Sequence, residues 1–355
     1  MFFGIDFGTM ECCIAALDSN GNPKIIRNEI DGKDTLAAAV YFEDGNNVII
    51  GENARDMVEI DGERVVRFVK RYLGKEDAPA WVIDGKEYTA VEISSLILMR
   101  LKQMAEEQGY DVDNVVIAVP SYFGLGERAA IRHAGELAGM NVIAMISEPV
   151  AAILSYCAEQ PRTDQTILLC DLGGTFDSSI VRMSVKPDEN GEMIKSLRFL
   201  ASNGDSRLGG SDWSEALYEY VLDRCCEEHG LLPDEMDDDT RSLLRMCADS
   251  GKKRLSGRDV TKMRIAVKGV MDKIVVTREE FEEMTAHLVD RTMACVETVL
   301  SEYDGPIDQV VLTGGCAHMP MIRRALETRF PGKVTVHYPD TAVARGAVLY
   351  AATLV

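Results

Sequence analysis

The chain has 355 residues, of which 46% are hydrophobic and 27% are charged, and this balance excludes a disordered or fibrous protein. Its length is typical of two domains rather than one small core. Asp and Glu total 58 against 38 Lys and Arg, which gives a formal net charge of −20. Because so acidic a surface repels a phosphate backbone, the composition argues against nucleic-acid binding, and any phosphate ligand would have to lie in a locally shielded pocket.

The cysteines and the N-terminus indicate the compartment. Nine cysteines include the adjacent pair Cys12–Cys13, which would point to opposite faces of a strand and so has poor disulfide geometry. Five scattered histidines give no zinc-ligand spacing. The chain reaches Asp6 too early for a signal peptide, and no apolar run approaches the roughly 18–20 residues that span a bilayer. We therefore expect a cytoplasmic protein with no membrane partner.

The first half opens on a predicted β-hairpin. Phe2–Asp6 is a short apolar strand, Gly8-Thr9 is a turn, and Cys12–Leu17 is a second β-prone run. The elements predicted after it are a helix over Val91–Gln108, a strand over Asn114–Pro120, a helix over Glu127–Ala138, a strand over Asn141–Ile146 and a helix over Glu148–Cys157.

The second half begins in the same way. Thr166–Cys170 is an apolar strand, Asp171–Thr175 is a turn and Ser178–Met183 is the return strand. The elements predicted after it are helices over Asp212–His229 and Asp238–Leu255, a β-prone run over Val260–Val276, one long helix over Arg278–Tyr303, a strand over Gln309–Thr313, a helix over Met321–Phe330, a strand over Lys333–His337 and a helix over Asp340–Ala351.

The repeated order predicts an internal duplication. Alternating strands and helices imply two similar α/β lobes, each around a mixed sheet, with a cleft between them. We assign residues 1–160 and a returning C-terminal helix over 339–355 to lobe I, and residues 161–338 to lobe II. The stretches at about 30–113 and about 212–277 are predicted to be inserted subdomains of lobes I and II.

The two turns suggest phosphate binding. A turn rich in Gly and Thr exposes backbone N–H groups and a hydroxyl, and facing turns could hold one polyphosphate. Asp6 and Asp171, at the strand ends, would then face Mg²⁺ bound to that phosphate. Either turn alone is better explained as ordinary turn chemistry, but two matching turns favour the phosphate reading.

Three further features are ambiguous on their own. Gly314-Gly315 ends a strand where α/β sheets bind ligands, yet it could be only a tight β–α connection. Taken alone, Lys70 would be interpreted as a solvated surface charge. Glu148 alone would be interpreted as an acidic residue that stabilises the start of a helix. The residues by themselves therefore indicate a two-lobed phosphate binder and no particular reaction.

In combination, the motifs resemble the nucleotide-binding domain of the 70 kDa heat-shock protein family, DnaK type, along essentially the whole chain. The segments that carry the resemblance are IDFGT at Ile5–Thr9, RFVKRYLGK at Arg67–Lys75, VIAVPSYF at Val116–Phe123, ISEPVAAILSY at Ile146–Tyr156, DLGGTFD at Asp171–Asp177, LASNGDSRLGGSDW at Leu200–Trp213, GGCAHMPMI at Gly314–Ile322 and YPDTAVARGA at Tyr338–Ala347.

The resemblance implies an α/β fold of the actin-like ATPase type, with duplicated ribonuclease H-like lobes, and MgATP as the ligand. Asp6 and Asp171 would orient Mg²⁺ through its waters. The implied catalytic residues are Lys70, Glu148, Asp171 and Thr175, of which Lys70 and Glu148 would position the attacking water. The implied nucleotide-binding residues are Gly8, Thr9, Met10, Gly173, Gly174, Asp249, Lys252, Lys253, Ser256, Gly314, Gly315, His318 and Asp340.

The family also implies partners. These are ATP or ADP, a J-domain co-chaperone, a nucleotide-exchange factor and a client polypeptide, the last bound only through a C-terminal domain that this sequence lacks. Pro120 and Arg128 match the family's route from nucleotide to substrate domain. We expect a monomer. An alternative is an actin-like filament or scaffold protein that uses nucleotide as a switch; a sugar kinase shares the DLGGT turn, but the other motifs argue against it.

The sequence departs from the family pattern in ways that bear on hydrolysis. The turn DLGGT is one glycine shorter than the family's DLGGGT, which removes or re-aims an amide at the γ-phosphate. Glu11 adds a negative charge near the phosphates, which is unfavourable unless it points away. His318 replaces an arginine that stacks on adenine, and Val150 replaces a threonine. We therefore expect ATP binding with slow hydrolysis.

Overall fold

A computed structural model describes residues 1–44, 47–75, 77–160, 163–187, 193–230, 232–267 and 270–354. Its strands are β1 Phe2–Phe7, β2 Glu11–Leu17, β3 Pro23–Ile25, β4 Leu36–Ala37, β5 Ala39–Phe42, β6 Val48–Ile50, β7 Val65–Arg67, β8 Trp81–Ile83, β9 Lys86–Tyr88, β10 Asn114–Val119, β11 Asn141–Ser147, β12 Gln165–Leu172, β13 Phe176–Pro187, β14 Met193–Asp205, β15 Val260–Val267, β16 Val270–Thr277, β17 Gln309–Thr313 and β18 Val334–Val336.

The α-helices are α1 Glu52–Asp56, α2 Val58–Asp61, α3 Ala90–Glu107, α4 Leu125–Leu137, α5 Glu148–Glu159, α6 Gly210–His229, α7 Asp238–Gly257, α8 Arg278–Met284, α9 Ala286–Ser301, α10 Pro320–Arg329 and α11 Ala342–Ala351. Short 3₁₀ helices cover Gly62–Arg64, Val69–Tyr72, Pro233–Glu235, Gly315–His318 and Ala352–Leu354. The chain divides into two compact units, of which unit 1 is Met1–Pro161 with Asp340–Val355 and unit 2 is Arg162–Pro339.

Unit 1 is built on a mixed sheet with the order β11-β10-β1-β2-β3, to which β4 adds on β2. Strand β1 pairs parallel with β10 and antiparallel with β2, and β10 pairs parallel with β11. The core on this sheet is continuous with α3, since Phe3, Ile5, Ile97 and Leu101 belong to one buried cluster. Helix α3 begins at a capping box in which Thr89 and Glu92 satisfy each other's backbone N–H groups.

Unit 2 has a mixed sheet with the order β14-β13-β12-β17-β18. Strand β12 pairs parallel with β17 and antiparallel with β13, and β17 pairs parallel with β18. Its core cluster surrounds Trp213 and Phe176, both almost wholly buried. The two sheets thus share one pattern of parallel and antiparallel pairs, and the central strand of each carries an aspartate, Asp6 or Asp171, one residue before its end.

The hairpins and the alternating strands and helices predicted for both halves are present. One prediction is wrong: Arg278–Tyr303 is not a single helix, because it breaks at Thr285 into α8 and α9. The Thr285 hydroxyl donates to the Phe281 carbonyl at 2.6 Å, and this bond back to the preceding turn competes with regular helix geometry. The β-prone run over Val260–Val276 is two antiparallel strands, β15 and β16.

Helix α11 packs against β1 and α5 without room for side chains at two glycines. A Cβ on Gly346 would lie 1.7 Å from the Ala151 carbonyl oxygen, and one on Gly4 would lie 2.2 Å from the Val348 nitrogen. These contacts are backbone to backbone, so no rotamer change could relieve an added methyl group. The close approach places the C-terminal helix directly beneath the strand that carries Asp6.

Candidate functional site

Three ionisable side chains of unit 1 meet at the end of strand β1. Lys70 Nζ donates to Glu148 Oε1 at 2.6 Å, and the two side chains are only 7% and 16% exposed. Asp6 interacts electrostatically with both of them. Two carboxylates and one ammonium therefore share a largely enclosed space.

Local geometry fixes the two longer side chains. Lys70 lies in the 3₁₀ helix Val69–Tyr72, which follows Phe68 in a left-handed conformation (φ 59°). Glu148 is the first residue of α5, where β11 ends and Pro149 starts the helix with a preset φ. A carboxylate here also gains from the positive end of the helix dipole.

The cluster of Asp6, Lys70 and Glu148 contains two carboxylates and only one ammonium group. Burial, reinforced by the nearby Glu148 carboxylate and only partly offset by Lys70, raises the pKa of Asp6 from 3.8 to about 7. For Lys70, burial acts to lower the pKa, but Glu148 and Asp6 outweigh it and the pKa is raised above its ordinary value. An oxygen-rich group with an excess carboxylate fits Mg²⁺, which takes one or two carboxylates and retains several waters.

The Asp6 pKa predicts a pH-dependent stability of the nucleotide-free, metal-free chain. Because the folded state binds the Asp6 proton more tightly than the unfolded state, this stabilising contribution is complete below about pH 4 and is lost as pH rises through about 7. Asp6→Asn should therefore flatten the fall in the free energy of unfolding between these values, as measured by urea unfolding in EDTA. Identical pH profiles for variant and parent would contradict the assignment.

The first hairpin joins β1 to β2 through Gly8, Thr9 and Met10. A Cβ on Gly8 would lie 2.0 Å from the Glu11 carbonyl oxygen, so the turn is as tight as glycine allows. The Met10 carbonyl accepts from the Ala38 nitrogen at 2.8 Å, which ties the turn to the segment before β5. The Glu11 carboxylate accepts from Arg55 Nη1 at 2.8 Å.

The second hairpin, in unit 2, is held from two sides. Within it the Gly173 nitrogen donates to the Thr175 carbonyl at 3.0 Å, and the Gly173 carbonyl accepts from the Gly210 nitrogen at 2.9 Å. A Cβ on Gly209 would lie 2.1 Å from the Gly174 carbonyl oxygen. The shortened turn is thus braced by the start of helix α6.

The strand end beside this hairpin is equally close-packed. Gly314 follows β17 with φ 83°, and a Cβ there would lie 2.6 Å from Asp171 Oδ1. Only glycine combines that left-handed backbone with so close an approach to the aspartate. Cys316 Sγ lies 3.7 Å from the Gly173 carbonyl oxygen and packs on the other side of the turn.

The four residues predicted to contact adenosine lie on helix α7, with three of them in one polar network. Lys252 Nζ donates to Asp249 Oδ1 at 3.1 Å, and Lys253 pairs with Asp249 Oδ2 at 3.4 Å. Burial acts to raise the pKa of Asp249, but the two lysines outweigh it and the pKa is lowered from its ordinary value. Ser256 Oγ donates to the Lys252 carbonyl at 3.3 Å.

Ser214 of helix α6 also belongs to this network, although it is not among the residues predicted from the sequence. Its hydroxyl donates to Asp249 Oδ1 at 2.9 Å and accepts from Lys252 Nζ at 2.8 Å. Lys252 Nζ also donates to the Gly210 carbonyl at 2.7 Å, so its three N–H donors are all engaged. A lone serine on a predicted helix gives no sequence signal for such a role.

The remaining predicted residues are exposed. Gly315 and His318 lie in the 3₁₀ helix that follows Gly314, and Asp340 precedes α11 in unit 1.

Within the described ranges, no group of three or more His, Cys, Asp or Glu side chains has the geometry to hold a metal ion by itself. Among the described residues, none of the helices combines the length and the apolar character that a bilayer-spanning segment needs.

Residues 2–355 match a family model described as Hsp70 protein. The chain belongs to the Hsp70 family. The match covers the region of the family's nucleotide-binding ATPase domain, so the resemblance drawn from the motifs is confirmed. The mixed α/β content and the several sheets fit that domain, and the family relation supports a chaperone ATPase domain.

Proposed function

We propose that the chain binds MgATP and hydrolyses it slowly, as the nucleotide-driven part of a DnaK-type chaperone with an actin-like ATPase fold. The observation that carries this proposal is the buried Lys70–Glu148 pair beside Asp6. Burial of two charges is costly and often gives no net stability, so an enclosed ion pair next to a third ionisable group is better explained by chemistry than by folding.

The fold part of the proposal is supported by the repeated sheet pattern. Both sheets place a hairpin next to two parallel strands, and both put an aspartate at the same position of the central strand. A duplicated α/β unit of this kind is what the actin-like ATPase class requires. The residues at strand ends, rather than the strands themselves, then carry the function.

In unit 1, Lys70 and Glu148 would hold the attacking water. The 2.6 Å hydrogen bond from Lys70 fixes the orientation of the Glu148 carboxylate. The remaining lone pairs of that carboxylate can accept a proton from water. The water oxygen would then bond to the γ-phosphorus as the bond to the ADP oxygen breaks. Catalysis of this kind is mainly positioning plus electrostatics. Asp6 and Asp171 are the residues that would hold Mg²⁺ through its waters, and the chemistry that the ion would supply is positive charge toward the phosphate oxygens.

The two hairpins would supply phosphate contacts. Thr9 and Thr175 offer hydroxyls, and the turn glycines offer amides. In the second turn the Gly173 amide already donates to the Thr175 carbonyl, so this amide is not available to donate to a phosphate. This internal bond, together with the missing glycine, is why we propose slow turnover. Asp249, Lys252, Lys253 and Ser256 would contact adenosine, and Gly314, Gly315, His318 and Asp340 are the other residues that we propose for nucleotide binding.

Partners and compartment follow from the same proposal. A J-domain co-chaperone and a nucleotide-exchange factor would regulate the cycle, and a client polypeptide would bind a separate domain. Cytoplasmic localisation is supported by the sequence, whose nine cysteines include no CxxC pair, a usage compatible with a reducing compartment.

The proposal is tested against the filament alternative by two measurements on the same purified chain. Isothermal titration should detect MgATP binding that depends on Mg²⁺, and sedimentation with MgATP should leave the protein in the supernatant as a monomer. Pelleting that requires MgATP would favour an actin-like filament. Absence of any nucleotide binding would contradict both functions.

A further inference from the structure

Glu11 stands beside the first hairpin, and both of its carboxylate oxygens are engaged away from the turn. Oε1 accepts from Arg55 Nη1 at 2.8 Å, and Oε2 accepts from the Thr35 hydroxyl at 3.2 Å. The two donors come from the segment between β3 and the end of α1. They fix the direction of the Glu11 side chain.

The contact extends into a ladder of alternating charges. Arg55 also pairs with Glu52, and Glu52 Oε2 lies 3.0 Å from Lys33 Nζ. The four side chains sum to zero charge. Loss of Arg55 leaves one unbalanced negative charge in this group, whose member Glu11 directly follows the hairpin turn.

Partial burial makes this pair stronger than an ordinary surface pair. Arg55 and Glu11 are 17% and 33% exposed, whereas the pair Arg27–Asp34 of the same unit is 70% and 43% exposed. Exposed pairs are screened by solvent and contribute little. The electrostatic field of a half-buried pair is screened less by solvent, so the charge balance of the pair affects the binding of a nearby ligand.

We infer that Arg55 is a positioning residue for the first hairpin: it holds the Glu11 carboxylate against the segment around Thr35 and cancels its charge, so that the turn accepts a phosphate group. The inference rests on the proposed function, since it needs nucleotide phosphates at Gly8–Met10. It also explains how this chain tolerates an acid next to a phosphate turn.

The test uses ligands of graded charge on the intact chain: adenosine (neutral), MgADP (net charge about −1) and MgATP (about −2). Arg55→Gln frees one negative charge, so affinity should fall about fivefold for MgADP and about 25-fold for MgATP, and not for adenosine. These losses should shrink in high salt. Glu11→Gln added to Arg55→Gln restores the charge balance and should restore the affinities.

Arg100→Gln is the matched control, because it also removes a largely buried arginine paired with one carboxylate of unit 1, Glu107, outside the ladder, and it should leave all three affinities unchanged. Should Arg55→Gln fold poorly by circular dichroism, Glu11→Gln alone provides the second readout and should tighten MgATP binding. Equal losses for all three ligands, or no rescue by Glu11→Gln, would overturn the inference. A parent chain that binds no nucleotide would instead overturn the proposed function.

Discussion

Replacing Lys70 with alanine is expected to lower ATP turnover by roughly 100-fold or more, the order seen when a reacting group is misplaced. The reason is geometric: without the 2.6 Å bond from Lys70, the Glu148 carboxylate loses the partner that fixes it. Affinity for MgADP should change much less, because Lys70 is not among the residues that we propose to contact the phosphates and adenosine. Single-turnover conversion of bound ATP to ADP measures the rate directly.

Lys24→Ala is the matched control for that experiment. Lys24 is a lysine of the same unit whose Nζ donates to the Tyr110 hydroxyl at 3.1 Å in an exposed contact. Its removal should leave turnover unchanged. A Lys70→Ala chain that turns over ATP as fast as its parent would show that the buried pair has no part in the reaction.

Gly346→Ala is expected to destabilise the fold by about 3 kcal/mol, at the upper end for overpacking. The added Cβ would lie 1.7 Å from the Ala151 carbonyl oxygen, and backbone cannot move aside as a side chain can. Helix α11 would have to shift away from α5 and from β1, which carries Asp6. Urea unfolding with a far-UV signal measures the loss.

Gly257→Ala provides the same substitution where there is room. Gly257 is also helical, and a Cβ on it would meet nothing within 4 Å. Alanine has the higher helix propensity, so this variant should be unchanged or more stable by up to about 1 kcal/mol. Equal destabilisation of the two variants would mean that the α11 contact is not the cause.

The order of strands and helices can be predicted well from the sequence because it depends on local patterns of residues. Alternating apolar runs locate the sheet strands, and the hairpins follow from Gly and Thr at two turns. The break at Thr285 is not visible this way, since it depends on a hydroxyl bond to Phe281 within an otherwise helical pattern. The sequence pattern also does not predict β14, the edge strand beside β13 in the unit 2 sheet.

The site is harder to predict from the sequence because its contacts join residues that are far apart in the chain. Lys70 and Glu148 are 78 residues apart, and Arg55 and Glu11 are 44 apart. No local spacing relates such pairs, so only motif resemblance singled out Lys70 and Glu148, and nothing singled out Arg55. Ser214 likewise acquires its contacts only when α6 and α7 pack together.

The most direct test of the central claim, that the Lys70–Glu148–Asp6 cluster drives ATP hydrolysis, is the parent chain's own single-turnover rate. Purified protein is mixed with less than one equivalent of radiolabelled ATP and Mg²⁺, and ADP and phosphate are followed over time. We expect slow conversion that clearly exceeds the rate in buffer and that stops when Mg²⁺ is chelated. ATP that is bound but recovered intact would contradict the claim.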